Sequence, residues 1–554
     1  MYFNCFSILY SLMDILSVFG VEFLLSILPG VVLFIYGIDQ FSKEILKAGS
    51  ESFRSQLQKL AKTPITGVIS GAIATAIVQS STATTIIIVG LVDAGAISFA
   101  QSLGLTAGAN IGTTITTQLI AFKFTQFAPI FIILGFLIDL FGGRYKFFGK
   151  PIFYFGLVFF SLTLIASAVD SYKTDPHVLS LFSHFSNPIV GLLVGFILTN
   201  ILFSSAITIG LVIIFANAGL IGLYDGILIM LGSNIGTTTT ALLASIKMEN
   251  AAKRAAVAHF LFNLFGVLIL LPFLGYFVAF VQSIGGDIGH EVANAHLFFN
   301  IFATILFLLL VKQFEAVVKK VVPTDEKEIV FHTKYLNEKL PSSTKEAIAL
   351  VEKEIEYSLE VSKDLFEEVI SQIRTRADKR NRIQKLEAYT DFLDQKITVA
   401  LLELSKRQLT RDELDEIVAL TRISNQVEHF ADLAKLISIT YCNLYDRGIE
   451  MSDDSLAELL KNYSIMRDNL DLLRENFTKL DKKVSDNMRS KDDELRMSIE
   501  ETYNSYLKKL LKKTTNYGSV FIEIIIALDE ANERIRNIRK LLEMRRDSKK
   551  LSSN

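Results

Sequence analysis

Two cysteines in 554 residues, Cys5 and Cys442, exclude a disulfide framework or a cysteine metal site on count alone. Beyond residue 320 the chain is almost without helix breakers. No proline follows Pro341, and of 31 glycines only Gly448 and Gly518 remain there. The part before residue 320 lacks charge instead: long apolar stretches alternate with short polar gaps, and charged residues crowd the sequence only from about 323 onward. The net charge of −2 conceals this division. Half of all residues are hydrophobic and the mean hydropathy is +0.39, a level soluble proteins seldom reach. Two solvents are implied, lipid for the first part and water for the second. The membrane part shows no nucleophile, histidine–carboxylate pair or metal-ligand cluster, so it is not read as an enzyme. Nothing calls for nucleic acid or an organic cofactor. Residues 1–20 are apolar without a basic flank and read as a leader or interfacial segment rather than a cleaved signal.

A bilayer crossing needs about 20 apolar residues. Crossings are expected at 21–41, 100–122, 125–141, 152–169, 226–246, 257–283 and 296–314. Two further stretches, 64–98 and 188–217, are interrupted at Gln79-Ser80-Ser81-Thr82 and Ser204-Ser205, and each is read as a re-entrant hairpin of two half-helices. Loop charge supports this. Lys43, Lys47, Arg54, Lys59 and Lys62 share one loop, and Arg144, Lys146 and Lys150 another. Lys247, Lys253 and Arg254 share a third, and Lys312, Lys319 and Lys320 a fourth. With seven crossings and two hairpins, all four fall on the cytoplasmic side, which puts the N-terminus outside and the C-terminal domain inside.

The sequence also repeats itself. Thr75, Ser80, Ser81 and Thr84 recur as Thr199, Ser204, Ser205 and Thr208. Asn110-Ile111-Gly112-Thr113-Thr114 recurs as Asn234-Ile235-Gly236-Thr237-Thr238. The offset is 124 residues in both blocks (80 to 204, 110 to 234). The repeats span about 64–122 and 188–246. In the topology above they enter from opposite sides, an arrangement used by secondary transporters.

Breaking a helix in lipid strands backbone groups, so a break survives where something binds. The half-helix after Gln79-Ser80-Ser81-Thr82 begins with free N–H groups and a positive dipole end, a seat for an oxyanion. Gln79, Ser80, Ser81, Thr82, Ser204 and Ser205 are the expected substrate ligands. Asn110, Thr113 and Thr114, with Asn234, Thr237 and Thr238, are expected to mark a second pair of breaks. With Thr84 and Thr208 they offer the hard oxygen ligands that sodium requires. No Arg or Lys lies in either hairpin, so a buried anion needs co-bound cations to offset its charge. No Asp or Glu lies in the motifs, which disfavours proton coupling. Asp39, Asp93, Asp139 and Asp225 fall near membrane ends. His259 and His296 recur in an AHxxFN pattern. They serve either as proton or substrate groups or in a helix–helix hydrogen bond, which Asn263 and Asn300 one turn on support.

These motifs resemble the type II sodium/phosphate cotransporters, which carry a glutamine-serine-serine signature in each inverted repeat. The carriers of the resemblance are Gln79-Ser80-Ser81-Thr82-Ala83-Thr84-Thr85, Gly108 to Thr114, Gly232 to Thr239, Ala258 to Asn263 and Ala295 to Asn300. They fall in order within about residues 21–315. The resemblance implies symport of inorganic phosphate with sodium across the plasma (inner) membrane, the substrate lying between the hairpin tips. One position departs: Phe203 stands where the second signature has glutamine. Stoichiometry, affinity or substrate then differs, or Phe203 packs aside while Ser204 and Ser205 keep the site.

Residues 343–554 follow a linker at 321–342. Apolar residues at 348, 351, 355, 359, 365, 369 and 373 keep helical spacing. Breaks near Ala377-Asp378, Thr410-Arg411, Gly448, Lys482 and Tyr517-Gly518 predict about six helices in antiparallel bundles. Arg422 to Asp432 and Glu530 to Ile538 resemble PhoU-type domains, which implies a phosphate-linked regulatory role. Glu428 and Asp432, one turn apart, either share a metal or belong to an exposed acidic face. The expected whole is an all-α polytopic membrane protein with inverted repeats, two re-entrant hairpins and a cytoplasmic helical bundle. Its expected partners are phosphate, sodium and lipid, and a homo-oligomer is compatible with it. The rival readings are a carrier of another oxyanion, an efflux carrier, or a membrane-anchored phosphate sensor.

Overall fold

The computed structural model describes residues 21–122, 124–324, 328–337, 339–511 and 517–552. The leader expected over residues 1–20, with Cys5, lies outside the described residues. Among the described residues every regular element is helical. The chain forms two compact units that divide between Val330 and Phe331.

The first unit opens with α1 (Val21–Leu60), followed by the two arms of a hairpin, α2 (Pro64–Val78) and α3 (Ser81–Asp93), and by α4 (Phe99–Ala121). Helices α5 (Ala128–Phe141), α6 (Gly149–Tyr172) and the short α7 (Pro176–Ser183) lead to the second hairpin. Its arms are α8 (Pro188–Leu202) and α9 (Ser205–Asn217). Then come α10 (Leu223–Gly236), α11 (Thr239–Ser245), α12 (Asn250–Leu270), α13 (Leu274–Ile284), α14 (Ile288–Leu309) and α15 (Val311–Val321).

Among the described residues six segments are long and apolar enough to cross a membrane: Glu22–Lys47, Phe124–Phe141, Gly143–Tyr172, Leu223–Ser245, Asn250–Ile284 and Ile288–Leu309. The helix expected at 100–122 forms as α4, but its run of Ser, Thr, Asn and Gln keeps it out of that set, and most of its residues are buried inside the protein. The four hairpin arms are shorter apolar helices of 13 to 15 residues. Proline stands at the start of both first arms, at Pro64 and Pro188, where its missing N–H costs nothing. Thr63 caps α2 by accepting from Thr66 N, and Asn187 caps α8 by accepting from Ile189 N and Val190 N.

One expectation fails here. Helix α4 runs unbroken through Asn110-Ile111-Gly112-Thr113-Thr114, so the first of the two further breaks does not exist. The second does, because α10 ends at Gly236 and α11 begins at Thr239. The glycines of α4 serve close packing instead. A Cβ on Gly108 would sit 2.0 Å from the Val68 carbonyl oxygen of α2, and one on Gly71 of α2 would sit 2.1 Å from that of Leu105. The same seam recurs 124 residues on (108 to 232, 71 to 195). A Cβ on Gly232 would meet the Leu192 carbonyl oxygen at 2.0 Å, and one on Gly195 would meet that of Ile229 at 1.9 Å. Bare glycine lets backbones approach this closely, a usual device between helices in lipid.

The second unit has six helices among the described residues: α16 (Thr344–Thr375), α17 (Arg380–Ser405), α18 (Arg411–Tyr445), α19 (Asp453–Glu475), α20 (Lys482–Leu511) and α21 (Gly518–Ser552). The first three pack together, as do the last three, and α18 lies along α21. Each buries an apolar stripe; Phe366 meets Phe430 with ring centroids 4.4 Å apart, and Tyr506 meets Phe521 at 4.4 Å. The irregular segment leading into this unit is tied down by Glu354 of α16. Its fully buried carboxylate accepts from Lys334 N at 2.9 Å, Tyr335 N at 2.6 Å and Leu336 N at 2.9 Å.

Candidate functional site

Each hairpin turns on one left-handed residue that is not glycine. Gln79 has φ 57° and Phe203 has φ 53°. Both occupy the position after the first arm, at the repeat's offset. The following serine caps the second arm: Ser80 Oγ accepts from Ala83 N at 3.2 Å, and Ser204 Oγ from Ile207 N at 3.4 Å. Ser81 and Ser205 open α3 and α9 and are buried. The two tips meet, since the Thr82 hydroxyl donates to the Phe203 carbonyl at 3.4 Å. The chain therefore brings together two helix N-termini, their capping hydroxyls and the Gln79 carboxamide, without a charged side chain. This suits an anion that is held by neutral donors.

Gln79 is held from both ends. Its Nε2 donates to the Ala76 carbonyl at 2.5 Å, and its Oε1 accepts from Thr116 Oγ1 of α4 at 2.8 Å. Sequence reasoning missed Thr116. The signal was its recurrence as Thr240 at the repeat's offset. With phenylalanine at 203, Thr240 has no such amide to hold and turns back to the Thr237 carbonyl at 3.2 Å. The Phe203 ring is 65 % exposed on the protein surface, while its backbone keeps the tip contact.

Among the residues expected to bind sodium, Thr84 and Thr208 donate to Ser80 O and Ser204 O at 3.0 and 3.2 Å. Thr113, Thr114, Thr237 and Thr238 bond back to carbonyls of their own helical turn, leaving oxygen lone pairs as their ligating capacity. Asn110 and Asn234 are already engaged. Asn110 Oδ1 pairs with His259 Nε2 at 3.0 Å, and its Nδ2 donates to Asn263 Oδ1 at 3.0 Å. Asn234 Oδ1 pairs with His296 Nε2 at 3.2 Å, and the other face of that ring meets Thr117 Oγ1 at 3.1 Å. Both histidines thus lie in helix–helix hydrogen bonds, to Asn110 and Asn234, whereas Asn263 and Asn300 donate within their own helices to the His259 and His296 backbone carbonyls.

The expectation that the membrane part holds no histidine–carboxylate pair is corrected: His290 Nδ1 lies 2.8 Å from Asp287 Oδ1. Asp287 caps α14 by accepting from His290 N, so the pair belongs to a helix start on a partly exposed turn. Asp39 pairs with Lys43, Asp93 accepts from Glu249 N, and Asp225 accepts from Gly222 N, so these carboxylates have structural partners away from the tips.

In the second unit Glu428, His429 and Asp432 bring three ligand atoms within 4.8 Å of one another. Burial and the neighbouring Asp432 raise the Glu428 carboxyl above its ordinary range. Two carboxylates and an imidazole form a donor set suited to a divalent cation, and these three residues would hold it.

A family model described as Na+/Pi-cotransporter matches residues 33–167 and 174–284. The uncharacterized protein YqeW of Bacillus subtilis is 33% identical over 276 residues, covering 49% of this chain and 89% of that protein. YjbB of Escherichia coli K12, provisionally named for inorganic phosphate export, is 27% identical over 254 residues, 45% of this chain and 47% of its own. The sheep sodium-dependent phosphate transport protein 2A (Ovis aries) is 34% identical over 93 residues, 16% of this chain and 15% of its own. The chain thus spans about half the length of YjbB and a small part of the sheep protein. No solved structure matches it. The repeated hairpins, their shared offset and the match to YqeW along most of its length agree, and the chain belongs to the Na+/Pi-cotransporter family.

Proposed function

We propose that this protein carries inorganic phosphate across the plasma (inner) membrane by sodium-coupled symport with alternating access. The observation that carries the reading is the meeting of two capped half-helix starts, linked through Thr82 and Phe203, with no fixed cation at either tip. Phosphate would lie among Gln79, Ser80, Ser81, Thr82, Ser204 and Ser205. Sodium would be drawn from the oxygens of Thr84, Asn110, Thr113, Thr114, Thr208, Asn234, Thr237 and Thr238. The repeats are taken to be inverted, so that exchanging their conformations opens the site to each side in turn. Loop charge supports a cytoplasmic second unit, read as a PhoU-like regulatory domain over 343–554, joined to a transport domain over 21–320 by the linker 321–342.

Purified protein in liposomes tests this. Labelled phosphate uptake is expected to rise with an inward sodium gradient and to vanish in Gln79→Ala/Ser80→Ala. Uptake indifferent to sodium rejects coupling. A second reading, phosphate efflux with the same site, is favoured by the name that YjbB carries, and net exit from loaded vesicles under a physiological gradient selects it.

A further inference from the structure

The two halves share their left-handed hairpin turns and glycine seams but differ in how their buried hydroxyls are satisfied. In the second half, Thr199 reaches Thr208 Oγ1 at 2.9 Å and Ser233 Oγ at 2.8 Å, and Thr208 donates to Ser204 O. All three side chains are at most 1 % exposed, and the cluster closes on itself. The first half matches it at Thr75, Thr84 and Ala109, each at the offset of 124 residues (75 to 199, 84 to 208, 109 to 233). Alanine at 109 removes the partner that Ser233 provides. Among the described residues the Thr75 hydroxyl, 1 % exposed, has no hydrogen-bond partner, and neither has that of Thr85, 2 % exposed, where the second half has Ile209. Thr84 keeps its bond to Ser80 O. Buried polar groups are seldom left unpaired, and an orphan group calls for an occupant.

Thr75 lies in the last turn of α2, whose carbonyls form the negative end of that half-helix. Its Cβ is the near neighbour of Gly112 of α4, so the hydroxyl sits at the α2–α4 seam, four residues before the Gln79 turn. Neutral hydroxyl and carbonyl oxygens beside a negative helix end are ligands for a small hard cation. The same turn leads directly into the anion seat, where a cation would offset substrate charge. From this we infer that the two half-sites are unequal. A sodium ion enters the first half at Thr75 and Thr84, where the second half has hydroxyl–hydroxyl bonds that leave no vacancy for one. The inference rests on the sodium-coupled reading above and narrows it: Thr75 joins Thr84 as a ligand in the first half, and Thr208, already bonded to Thr199, drops out of the set.

The test measures sodium dependence of phosphate uptake in liposomes for wild type, Thr75→Val, Ala109→Ser and Thr199→Val, each as the full chain. Thr75→Val is expected to raise the half-saturating sodium concentration at least tenfold. Ala109→Ser, which supplies the second half's closing hydroxyl, should move it in the same direction while folding normally. Thr199→Val is expected to stay within twofold of wild type, although its melting temperature falls. A parallel readout is the thermal stabilisation of the detergent-purified protein by sodium chloride over choline chloride, which should shrink in the first two variants only. Wild-type sodium dependence in Thr75→Val or in folded Ala109→Ser, or an equal shift in Thr199→Val, overturns the inequality while leaving coupling intact. Uptake that ignores sodium in the wild type overturns both.

Discussion

Gly108 tests the helix seam of the first hairpin. An alanine there places its Cβ 2.0 Å from the Val68 carbonyl oxygen, where real contacts of this kind do not fall below 3.0 Å, so α2 and α4 must separate by about 1 Å. The obstructing atom is backbone and has no rotamer to escape into. Overpacking of this kind costs about 1–3 kcal/mol, and an unyielding neighbour puts Gly108→Ala near the upper end. Gly90 is the control. It lies within α3, and a Cβ there meets nothing within 4 Å, so Gly90→Ala should gain up to about 1 kcal/mol from helix propensity. Thermal unfolding of the full chain in detergent, followed by fluorescence-detected size exclusion, compares them. Gly108→Ala should melt on the order of 5–10 °C below wild type, and Gly90→Ala at or slightly above it. Gly232→Ala, 2.0 Å from Leu192 O in the second repeat, should behave as Gly108→Ala does. If Gly108→Ala and Gly90→Ala melt together, the seam is not close-packed and the repeat-to-repeat correspondence of the helices is wrong.

Thr116→Val frees the Gln79 carboxamide by removing one neutral hydrogen bond of 2.8 Å, worth about 1 kcal/mol, and should weaken phosphate affinity roughly fivefold in vesicle uptake. Thr240→Val, which holds no amide, should leave affinity unchanged, and parity of the two variants would refute the role given to Thr116. Glu354→Gln replaces a carboxylate whose two oxygens accept three N–H groups with a carboxamide that can accept at one end only and turns an NH2 donor toward the N–H group or groups at the other. A loss of about 3 kcal/mol in local stability is expected, seen as faster hydrogen exchange at Lys334, Tyr335 and Leu336 in the full chain; unchanged exchange would contradict it. Zinc binding at Glu428, His429 and Asp432 should weaken as pH falls. Burial first, then Asp432, holds the Glu428 carboxyl above the ordinary range, so proton competition begins at higher pH than for a free carboxylate and grows to about tenfold per pH unit. Calorimetry showing pH-independent zinc affinity, or full affinity in Asp432→Asn, rejects that site.

Both hairpins were legible because their turns are written in capping chemistry. Serine is a favoured N-cap residue, a serine pair interrupts each apolar stretch, and the repeat showed that the two interruptions belong to one design. The six bundle helices were legible from spacing and from the few breakers available. Gly112 was misread for a physical reason: glycine serves both where a helix breaks and where another backbone comes close, and only the atoms of α2 opposite it decide between these. Thr116 stayed hidden because its meaning depends on Gln79 coming within reach, a contact 37 residues away along the chain. The closed and open hydroxyl clusters were hidden for the same reason. Thr75 and Thr199 look equivalent until Ala109 and Ser233 are seen beside them.

The left-handed turn at 79 and 203 has a consequence for how such a carrier diversifies. A glutamine and a phenylalanine adopt nearly the same backbone there, so the reversal of the chain does not depend on which side chain stands at its apex. Each non-glycine residue in that conformation carries strain of about 1–2 kcal/mol, which the flanking helices must sustain whatever the residue. The apex is thus mechanically fixed and chemically replaceable, a place where the side chain can be exchanged without first having to rebuild the turn.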